Sequence, residues 1–455
     1  MSEPASNVIT SERFLPNDIV TEDSAAIRFV ELHGDRLRYC HSSGTWYRWN
    51  DVYWQPDRTS IAFHWARELV RQLAEDLDER RRYVTSKVAF AAGVERFAKS
   101  DPSITTTADC WDTDPFLLGT PGGTLDLRSG KLREPSQQDG ITKVTSVAPL
   151  DEPCPRWHSF LRQAMNGDDE TIEFLQRWLG YCLTGDTREH ALIFCHGGGG
   201  NGKGVFLNTV TRILGDYATT AAMDTFTAAK GDRHSTELAM LRGARLVTAS
   251  ETEEGRAWAE ARIKQLTGGD PITARFMRQD NFTFQPNFKL TIIGNHKPVL
   301  KNVDDAARRR FNIVPFLFKP EKPDRELEQK LMREAGGILQ WMVDGCLAWQ
   351  RDGLKRSSTV LKATQGYFDD QDLFGQWLDE CCTVKIGNNE HWDKSTNLFD
   401  SWTDYAHKAG ESPGSIKSFK QNMTLRNFEY FRDRERRGYR FVRAQSGNHI
   451  KGQRW

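Results

Sequence analysis

The residues of this sequence that could do chemistry most directly lie in one glycine-rich stretch, HGGGGNGKGVF, at residues 196–206. The stretch fits the pattern GxxxxGK, in which glycine N–H groups turn inward onto phosphate oxygens and the lysine ammonium reaches the outer phosphates. The apolar run ALIFC precedes it and the helical VFLNTVTRIL follows it, which is the strand, loop and helix order that a phosphate loop requires. The sequence therefore predicts an ATP-binding loop made of Gly197, Gly198, Gly199, Gly200, Asn201, Gly202, Lys203, Gly204 and Val205.

A metal ion at this loop would need ligands from elsewhere in the chain. Gly204 stands where such loops usually carry a serine or threonine hydroxyl that helps to hold Mg²⁺. In ARLVTASETEEG an apolar strand ends in a run of acids, and an acid at the end of a strand suits a carboxylate that orients a metal ion or activates water. We predict Mg²⁺ binding and water activation by Glu251, with Glu253 or Glu254 as its helper.

Two further polar features follow along the chain. The apolar strand in FKLTIIGNHKP closes on Asn295, which we expect at the carboxyl edge of the sheet, where it could position the attacking water. In DDAARRRFNIVPF three consecutive arginines precede the next strand. An arginine guanidinium stays charged, so it can stabilise the γ-phosphate of a nucleotide bound by a neighbouring subunit. This arrangement is called an arginine finger. A solvated basic turn is the alternative for any one of these arginines.

Whole-chain properties bound the architecture and the partners. A chain of 455 residues is too long for one compact core, so two or three domains are expected. Its 62 Lys and Arg residues equal its 62 Asp and Glu residues, so nucleic-acid binding must come from local patches. No apolar run is long enough to span a membrane, and the scattered cysteines indicate neither a disulfide framework nor a zinc site. We expect a protein of the cytoplasm, in a bacterial host cell, with no membrane partner.

Patterning along the chain predicts an α/β protein in five segments. These are a flexible polar leader at 1–24, an aromatic-rich α+β domain at 25–150, a helical linker or collar at 151–190, an α/β ATPase domain at 191–350, and a mainly helical, basic domain at 351–455.

The order of the motifs resembles that of a known family. GGGGNGKG, LVTASETEE, KQLTGGDPITARFMRQDNFTFQPNFKLTIIGNHKP and DDAARRRFNIVPF together resemble the superfamily 3 helicases, and within them the phage and plasmid primase/helicase proteins similar to the poxvirus-type nucleoside triphosphatase. WYRWNDVYWQPD, LLGTPGGTLDLRSGKLREP and FLQRWLGYCLTGD extend the resemblance upstream, so that it covers roughly residues 28–320. It implies an AAA+-like P-loop ATPase domain, ATP and Mg²⁺ as ligands, and a homo-oligomeric ring, a hexamer, around DNA.

The resemblance also assigns roles to single residues. It gives Lys203 to phosphate binding, Glu251 to the metal and the water, Asn295 to a sensor position, and Arg309 or Arg310 to a finger that acts in the neighbouring subunit. Gly204 departs from the family pattern, although the lysine and the acidic motif favour an active site. Members of this kind also carry a polymerase-like primase domain before the segment that begins here near residue 28. We therefore expect no primer synthesis from this chain, and a separate primase or polymerase is a candidate partner.

In the family, the segment around TGGDPITAR leads into a β-hairpin that projects into the ring channel and grips the DNA backbone. Carried onto this chain, ITARFM and FTFQPNF would be its strands, and Asp280 would lie at its tip with two amides and an arginine. Cationic and amide side chains at an exposed turn suit phosphate contacts rather than recognition of base edges. The predicted DNA-binding residues are Lys264, Arg275, Arg278, Gln279, Asn281 and Lys289.

The C-terminal segment combines helical periodicity with an excess of positive charge. Its ending, RDRERRGYRFVRA, could form a basic β-hairpin after the helices, as in a winged-helix module that places a helix in a DNA groove. Residues 415–420 with Arg426 would form the contact helix region. A solvated basic surface is the alternative.

The leading hypothesis is thus an ATP-driven, ring-forming DNA helicase of a phage-type or plasmid-type replication system. Two other classes stay open: a P-loop phosphotransferase that acts on a small substrate, and a non-hydrolysing DNA-binding replication initiator, for which Gly204 would be the warning sign.

Overall fold

The computed structural model describes residues 20–228, 236–251, 255–276, 280–300, 305–433 and 436–445. Most of the predicted leader therefore lies outside the described residues. The first helix is fixed by a capping box, in which the Thr21 hydroxyl accepts a hydrogen bond from the Ser24 N–H at 3.1 Å and the Ser24 hydroxyl accepts one from the Thr21 N–H at 3.0 Å. The fold thus includes residues slightly before the predicted start at 25.

The N-terminal part is a four-stranded sheet covered by helices. The strand order is β3-β2-β1-β4, and its core contains Phe29, Leu37, Trp46 and Val94. The Trp46 indole N–H also donates to the Glu95 carboxylate at 2.8 Å. Its elements are α1 (Glu22–His33), β1 (Leu37–Cys40), β2 (Thr45–Trp49), β3 (Trp54–Pro56), α2 (Ile61–Leu73), α3 (Glu79–Thr85), α4 (Val88–Ala98) and β4 (Thr105–Thr106).

A three-stranded antiparallel meander and two helices connect this part to the large sheet. They are β5 (Leu117–Thr120), β6 (Gly123–Asp126), β7 (Lys131–Arg133), α5 (Pro155–Ala164) and α6 (Asp169–Leu183). Leu118, Trp157 and Trp178 from these elements share one buried core with Ile193 of the next strand. The packing therefore joins residues 117–183 to the large sheet, whereas the predicted boundary at 150 passes through this cluster. The domain limits themselves stay a prediction.

The large sheet has five strands, in the order β14-β8-β13-β10-β9, and every neighbouring pair is parallel. The strand that leads into the glycine-rich loop, β8, lies inside the sheet, with the edge strand β14 on one side and β13 on the other. The elements are β8 (Leu192–His196), α7 (Lys203–Leu214), β9 (Ala218–Thr220), α8 (Thr236–Ala239), β10 (Leu246–Glu251), α9 (Glu260–Gly268), β11 (Ile272–Ala274), β12 (Phe282–Phe284), β13 (Lys289–Gly294), α10 (Asp305–Arg310) and β14 (Phe311–Pro315).

Three helices follow β14. They are α11 (Leu327–Met332), α12 (Ala335–Asp352) and α13 (Ser358–Gln371). Of these, α11 contacts α7, α12 packs on α6, and α13 packs on β14 itself. The Ile313 N–H donates to the Thr364 hydroxyl at 2.9 Å, and the Trp258 indole N–H donates to the Tyr367 hydroxyl at 2.9 Å. These bonds place α13 in the core of the large sheet, although the predicted C-terminal domain began at residue 351.

The C-terminal part has its own core, which contains Phe374, Trp377, Trp402, Phe419 and Tyr439. Short strands form two small sheets, in which β15 pairs with β19, and β18 lies between β16 and β17. Its elements are α14 (Leu373–Cys381), β15 (Cys382–Val384), β16 (Trp392–Lys394), α15 (Ser395–Lys408), α16 (Ile416–Leu425), β17 (Tyr430–Arg432), β18 (Arg437–Arg440) and β19 (Val442–Ala444).

Within the described ranges, no helix is both long enough and apolar enough to cross a bilayer.

The crossing of α6 and α12 generates a stability prediction, because the two backbones touch where each helix carries a glycine. A Cβ atom added at Gly180 would lie 2.0 Å from the Cys346 backbone nitrogen, and one at Gly345 would lie 2.1 Å from the Gln176 carbonyl oxygen. We expect Gly180→Ala to lower the free energy of unfolding by about 1–3 kcal/mol or more, measured by urea denaturation, since backbone cannot move aside as a side chain can.

Gly366→Ala is the matched control, because Gly366 lies in α13 and a Cβ there meets nothing within 4 Å. This change should raise stability by up to about 1 kcal/mol, since alanine favours a helix over glycine. Equal effects of the two substitutions would contradict the close contact between α6 and α12.

Candidate phosphate-binding site

The glycine-rich loop leaves β8 and enters α7 through backbone conformations that favour glycine. Gly200 has φ +77° and Gly202, the residue that precedes α7, has φ +86°. A Cβ at Gly202 would also lie 2.9 Å from the Phe160 ring. The N-terminus of α7 then directs its free N–H groups and the positive end of its dipole at the loop, which suits an anion.

Lys203 is nearly buried, with only 6% of its surface exposed, and its ammonium holds the loop together. Nζ donates to the carbonyl oxygens of Gly197 at 2.6 Å and Gly198 at 3.1 Å. It also donates to the side-chain oxygens of Asn201 at 3.0 Å and Asn295 at 3.2 Å. Burial lowers the pKa of Lys203. A phosphate that enters the loop would compete with these oxygens for the same N–H groups.

The loop is also tied to the chain that leaves β14. The Asn201 side-chain amide donates to the Phe316 carbonyl oxygen. Gly197 passes so close to this segment that a Cβ there would lie 2.0 Å from the same oxygen. Asn201 thus links Lys203 to the neighbouring strand, a structural role that the sequence pattern did not indicate.

Asn295 lies beside Lys203 because β13 and β8 are neighbours in register. Gly294, the last residue of β13, pairs with His196, the last residue of β8. Asn295 follows directly and accepts the hydrogen bond from the Lys203 ammonium. Burial lowers the pKa of the adjacent His196, with smaller effects in the same direction from the Lys297 and Lys203 cations. The polar residue after β13 is therefore at the carboxyl edge of the sheet, next to the loop.

The predicted acidic residues can be followed only in part. The backbone of Glu251 ends β10 and pairs with Gly294 of β13, so it reaches the same edge of the sheet. Its side chain, and all of Glu253 and Glu254, lie outside the described residues. In the part of the chain that the structure describes, no group of three or more His, Cys, Asp or Glu residues could hold a metal ion.

The three arginines of α10 have different surroundings. The Arg308 guanidinium lies over the Phe368 ring, 5.0 Å from its centroid. Arg310 donates through Nε to the Thr267 hydroxyl at 3.2 Å and through a terminal nitrogen to the Ala306 carbonyl at 2.8 Å. Arg309 is the exposed member of the three. The exposure of Arg309 favours it, among the three arginines, for contact with a neighbour.

The predicted hairpin is present, with shorter strands than the sequence pattern suggested. β11 and β12 pair antiparallel from Ile272 with Phe284 to Ala274 with Phe282. Arg275 and Asn281 are exposed beyond the strands.

Two of the other predicted DNA contacts, Arg278 and Gln279, lie outside the described residues. Lys264 is half-buried on α9.

Lys289 corrects the predicted set of DNA contacts. It is 2% exposed, and its Nζ donates to the backbone carbonyls of Thr184, Asp186 and Asn287, the last two at 3.2 and 3.4 Å. Nζ also lies 4.7 Å from the centroid of the Tyr181 ring. Burial lowers the pKa of Lys289 to about 7. This lysine faces the interior at the start of β13 and cannot reach DNA in this conformation.

Arg426 corrects the predicted contact region of the C-terminal part. Its guanidinium binds the Asp372 carboxylate at 2.5 Å and lies 4.8 Å from the centroid of the Phe374 ring. Arg426 thus ties the end of α16 to the start of α14. Lys417 and Lys420 remain exposed on α16.

One cation near the loop was missed from the sequence. A Cβ built at Gly200 would lie 3.5 Å from Cε of Lys319, an exposed residue in the segment after β14. The signal available was weak, because Lys319 stands in a loop with no motif spacing to the glycine-rich stretch.

Comparisons with known proteins agree on one broad family. A model described as "D5 N terminal like" matches residues 26–166, and a model described as a family of unknown function matches residues 195–310. A protein of Acanthamoeba polyphaga mimivirus named "Putative helicase" is 24% identical over 332 residues, which are 67% of this chain and 34% of that protein. A "Putative helicase" of Frog virus 3 is 26% identical over 52% of this chain and 26% of its own length.

A protein of African swine fever virus named "Putative primase" is 23% identical over 48% of this chain and 24% of that protein. The chain thus spans about a quarter to a third of the length of these relatives, which come from large DNA viruses. The apo structure of the NrS-1 C terminal region has a TM-score of 0.51 at 12% identity and covers 93% of this chain and 99% of its own. That likeness concerns the fold alone, and it agrees with a mixed α/β architecture.

The loop geometry generates a prediction that separates two glycines. A Cβ at Gly204 meets nothing within 4 Å, whereas Gly202 has a positive φ and faces the Phe160 ring. We expect Gly204→Ser to change the free energy of unfolding by less than about 0.5 kcal/mol, because the site is open. Gly202→Ser should lower it by about 1–3 kcal/mol through backbone strain and the ring contact. Urea denaturation of both variants checks this, and a larger loss at Gly204 would contradict the open position.

Proposed function

Because this chain is a member of the primase–helicase family, we propose that it is an ATP-driven, ring-forming DNA helicase of superfamily 3 that moves along DNA during replication. A function in DNA replication agrees with the names of its viral relatives. The single observation that supports the ATPase most directly is the bond from the Lys203 ammonium to the Asn295 side chain at 3.2 Å. It brings together a phosphate-binding cation and a polar group that can orient water at the same sheet edge.

The chemistry of this edge suits hydrolysis of a nucleoside triphosphate. The glycine N–H groups and the start of α7 would hold the phosphates, and Lys203 would neutralise charge as the γ-phosphate departs. Asn295 would orient the attacking water. Bound Mg²⁺ would add charge stabilisation at the phosphate oxygens, and Glu251, helped by Glu253 or Glu254, is the proposed protein ligand. Since Gly204 lacks a hydroxyl, more of the metal shell would come from water and phosphate.

A ring is proposed because the finger arginine must act on a neighbour. Arg309 is the exposed arginine of α10 and lies just before the start of β14. One protomer would therefore lend Arg309 to the nucleotide held by the next, and a closed ring, a hexamer by analogy with the family, repeats this contact. In this scheme Arg309, rather than Arg310, is the proposed finger.

DNA contacts would come from two exposed surfaces. The β11–β12 hairpin carries Arg275 and Asn281 beyond its strands, and both suit contacts with a phosphate backbone. In the C-terminal part, two helices precede a strand pair, which is the order of a winged helix, and α16 exposes Lys417 and Lys420. A separate primase or polymerase is proposed as a partner, and the cell in which the protein acts stays a prediction.

The decisive test is ATP hydrolysis with and without single-stranded DNA. We expect hydrolysis that DNA stimulates and that Lys203→Ala abolishes. Two variants that are inactive alone, Lys203→Ala and Arg309→Ala, should regain part of the activity when mixed, because some interfaces then pair an intact loop with an intact finger.

Other outcomes separate the competing classes. A rate of ATP hydrolysis that is the same with and without DNA would favour a P-loop phosphotransferase. DNA binding without hydrolysis would favour a replication initiator. If a mixture of the two inactive variants recovers no ATP hydrolysis, the shared site is contradicted.

Arg309 and Arg310 form a matched pair for a second prediction. Arg309→Ala should reduce kcat about a thousandfold or more, the usual effect of losing an arginine finger. Arg310→Ala should lower Tm, because it removes the hydrogen bonds to Thr267 and Ala306. Thermal denaturation and steady-state hydrolysis check both variants. Full activity in Arg309→Ala would rule out this residue as the finger.

A further inference from the structure

A large cleft lies between the N-terminal sheet and the β11–β12 hairpin, away from the glycine-rich loop. Its volume is about 1240 Å³. Tyr47 and Arg48 of β2 line one wall, and Arg242 with Thr283 of β12 lines the other. Pockets for small ligands usually measure about 300–1000 Å³, so one nucleotide would leave much of this cleft unfilled. A cleft of this size suits an extended polymer better.

Arginines line the cleft without carboxylate partners. Arg48, Arg58 and Arg242 make no ion pair with any residue that the structure describes. Arg48 is half-buried, and the other two are exposed. Arg242 lies 5.2 Å from the centroid of the Phe282 ring of the hairpin, which leaves its N–H groups available for an anion.

Carboxylates also line the cleft, but most of their oxygens are already bonded to the protein. Asp57 accepts hydrogen bonds from the backbone N–H groups of Thr59 and Ile61 at 2.8 and 2.7 Å. Asp112 accepts one from the Thr142 N–H at 3.0 Å, and it also binds the Thr142 hydroxyl.

Asp216 similarly accepts a hydrogen bond from the Val144 N–H at 3.2 Å. Of the acids that line the cleft, only Asp109 accepts no hydrogen bond of this kind from the residues that the structure describes, and its side chain is exposed. The other carboxylates therefore accept hydrogen bonds from the protein itself, whereas the guanidinium groups are available to bind a ligand.

Aromatic rings stand between these cations. Trp111 packs on Tyr47 with ring centroids 4.7 Å apart, and Tyr53 lies on the same side of the cleft. Phe276 of the hairpin is partly exposed and stacks on Phe282 at 5.4 Å. Partly exposed rings among guanidinium groups suit single-stranded nucleic acid, because bases can stack on the rings while phosphates meet the cations.

The two walls are close enough to act on one ligand. Burial raises the pKa of Tyr47, and the Arg242 guanidinium of the opposite wall opposes that shift. Burial also raises the pKa of Tyr53, and the Asp216 carboxylate adds to the rise. Side chains of the N-terminal sheet and of the large-sheet region thus influence each other across the cleft.

We propose that this cleft binds a segment of single-stranded DNA, which contacts Arg48, Arg58 and Arg242 through its phosphates and stacks bases on Tyr53, Trp111 and Phe276. The inference rests on the proposed function in supposing that DNA is the polymer, and it extends it by giving the N-terminal part a direct contact with the strand. The segment would reach the hairpin by way of β12, so the N-terminal sheet and the hairpin would hold neighbouring nucleotides of one strand.

The test uses the full chain and a fluorescein-labelled oligothymidylate, with binding measured by anisotropy in the absence of nucleotide. The double substitution Arg48→Ala with Arg242→Ala should weaken binding about tenfold or more. It should also reduce the slope of log affinity against log salt by about two, because two phosphate contacts are lost. The control, Arg67→Ala with Arg71→Ala, removes two exposed arginines of α2, outside the cleft, and should bind as the wild type does.

Basal hydrolysis of ATP without DNA should be the same in both double variants, since none of the four arginines belongs to the phosphate site. Equal affinity of the cleft variant and the control variant would overturn the inference, while DNA-stimulated hydrolysis in the wild type would leave the proposed function standing. A wild-type protein that binds DNA through the cleft but hydrolyses no ATP would uphold the cleft and overturn the helicase. Absence of DNA binding by the wild type would overturn both.

Photo-crosslinking with an oligonucleotide that contains 4-thiothymidine gives a second measurement that does not depend on substitutions. Crosslinked peptides that contain Tyr53 or Trp111 are expected. Crosslinks confined to the C-terminal part would overturn the inference. Competition by thymidine monophosphate at the same phosphate concentration as effectively as by the oligonucleotide would do so too, because it would indicate a site for a mononucleotide.

Discussion

The bonds of the Lys203 ammonium determine how this molecule can work. One Nζ joins two carbonyls of the glycine-rich loop, the Asn201 amide and the Asn295 side chain. Three of these partners belong to the loop between β8 and α7, and the fourth follows the end of the adjacent strand β13. An ammonium has three N–H groups, so four oxygens within 3.2 Å must share them, and at least one N–H is divided between two oxygens. The arrangement stabilises the loop, and a phosphate could still replace some of these oxygens as partners of the Lys203 ammonium.

The rest of the fold supplies the rigidity that this arrangement needs. The C-terminal half of α6 is buried, and the Trp178 indole N–H donates to the Thr291 hydroxyl of β13 at 2.9 Å. On its other side α6 packs on α12 through glycines, so the helix backbones approach as closely as atoms allow. The meander β5–β7 shares the same core. The central strands are thus held from segments that precede and follow them in the chain.

Sequence patterns located the features whose signal is local. The glycine spacing identified the loop, the polar residue after FKLTIIG identified the sheet edge, and the family resemblance of the segment around TGGDPITAR identified the hairpin. Burial of single charges was beyond these patterns, because lysine and arginine are exposed in most proteins and their spacing does not reveal an exception. Lys289 and Arg426 are such exceptions. Packing partners were equally hidden, since the amphipathic pattern of α13 does not say whether it faces the large sheet or the C-terminal core.

β13 connects the phosphate edge of the large sheet to the N-terminal half of the chain. Lys289 begins this strand and is bonded to the carbonyls after α6, while Asn295 follows its other end, about 20 Å away at the rise of an extended chain. Next to Lys289, the Arg245 guanidinium binds the carbonyls of Leu183 and Leu117, so the cation pair reaches from α6 to the meander. Because β13 is hydrogen-bonded to β10 on one side and to β8 on the other, its two ends are held at a fixed separation. A shift of β13 together with its neighbours at the phosphate edge would therefore also reach the far end, where Lys289 and Arg245 bind the N-terminal half.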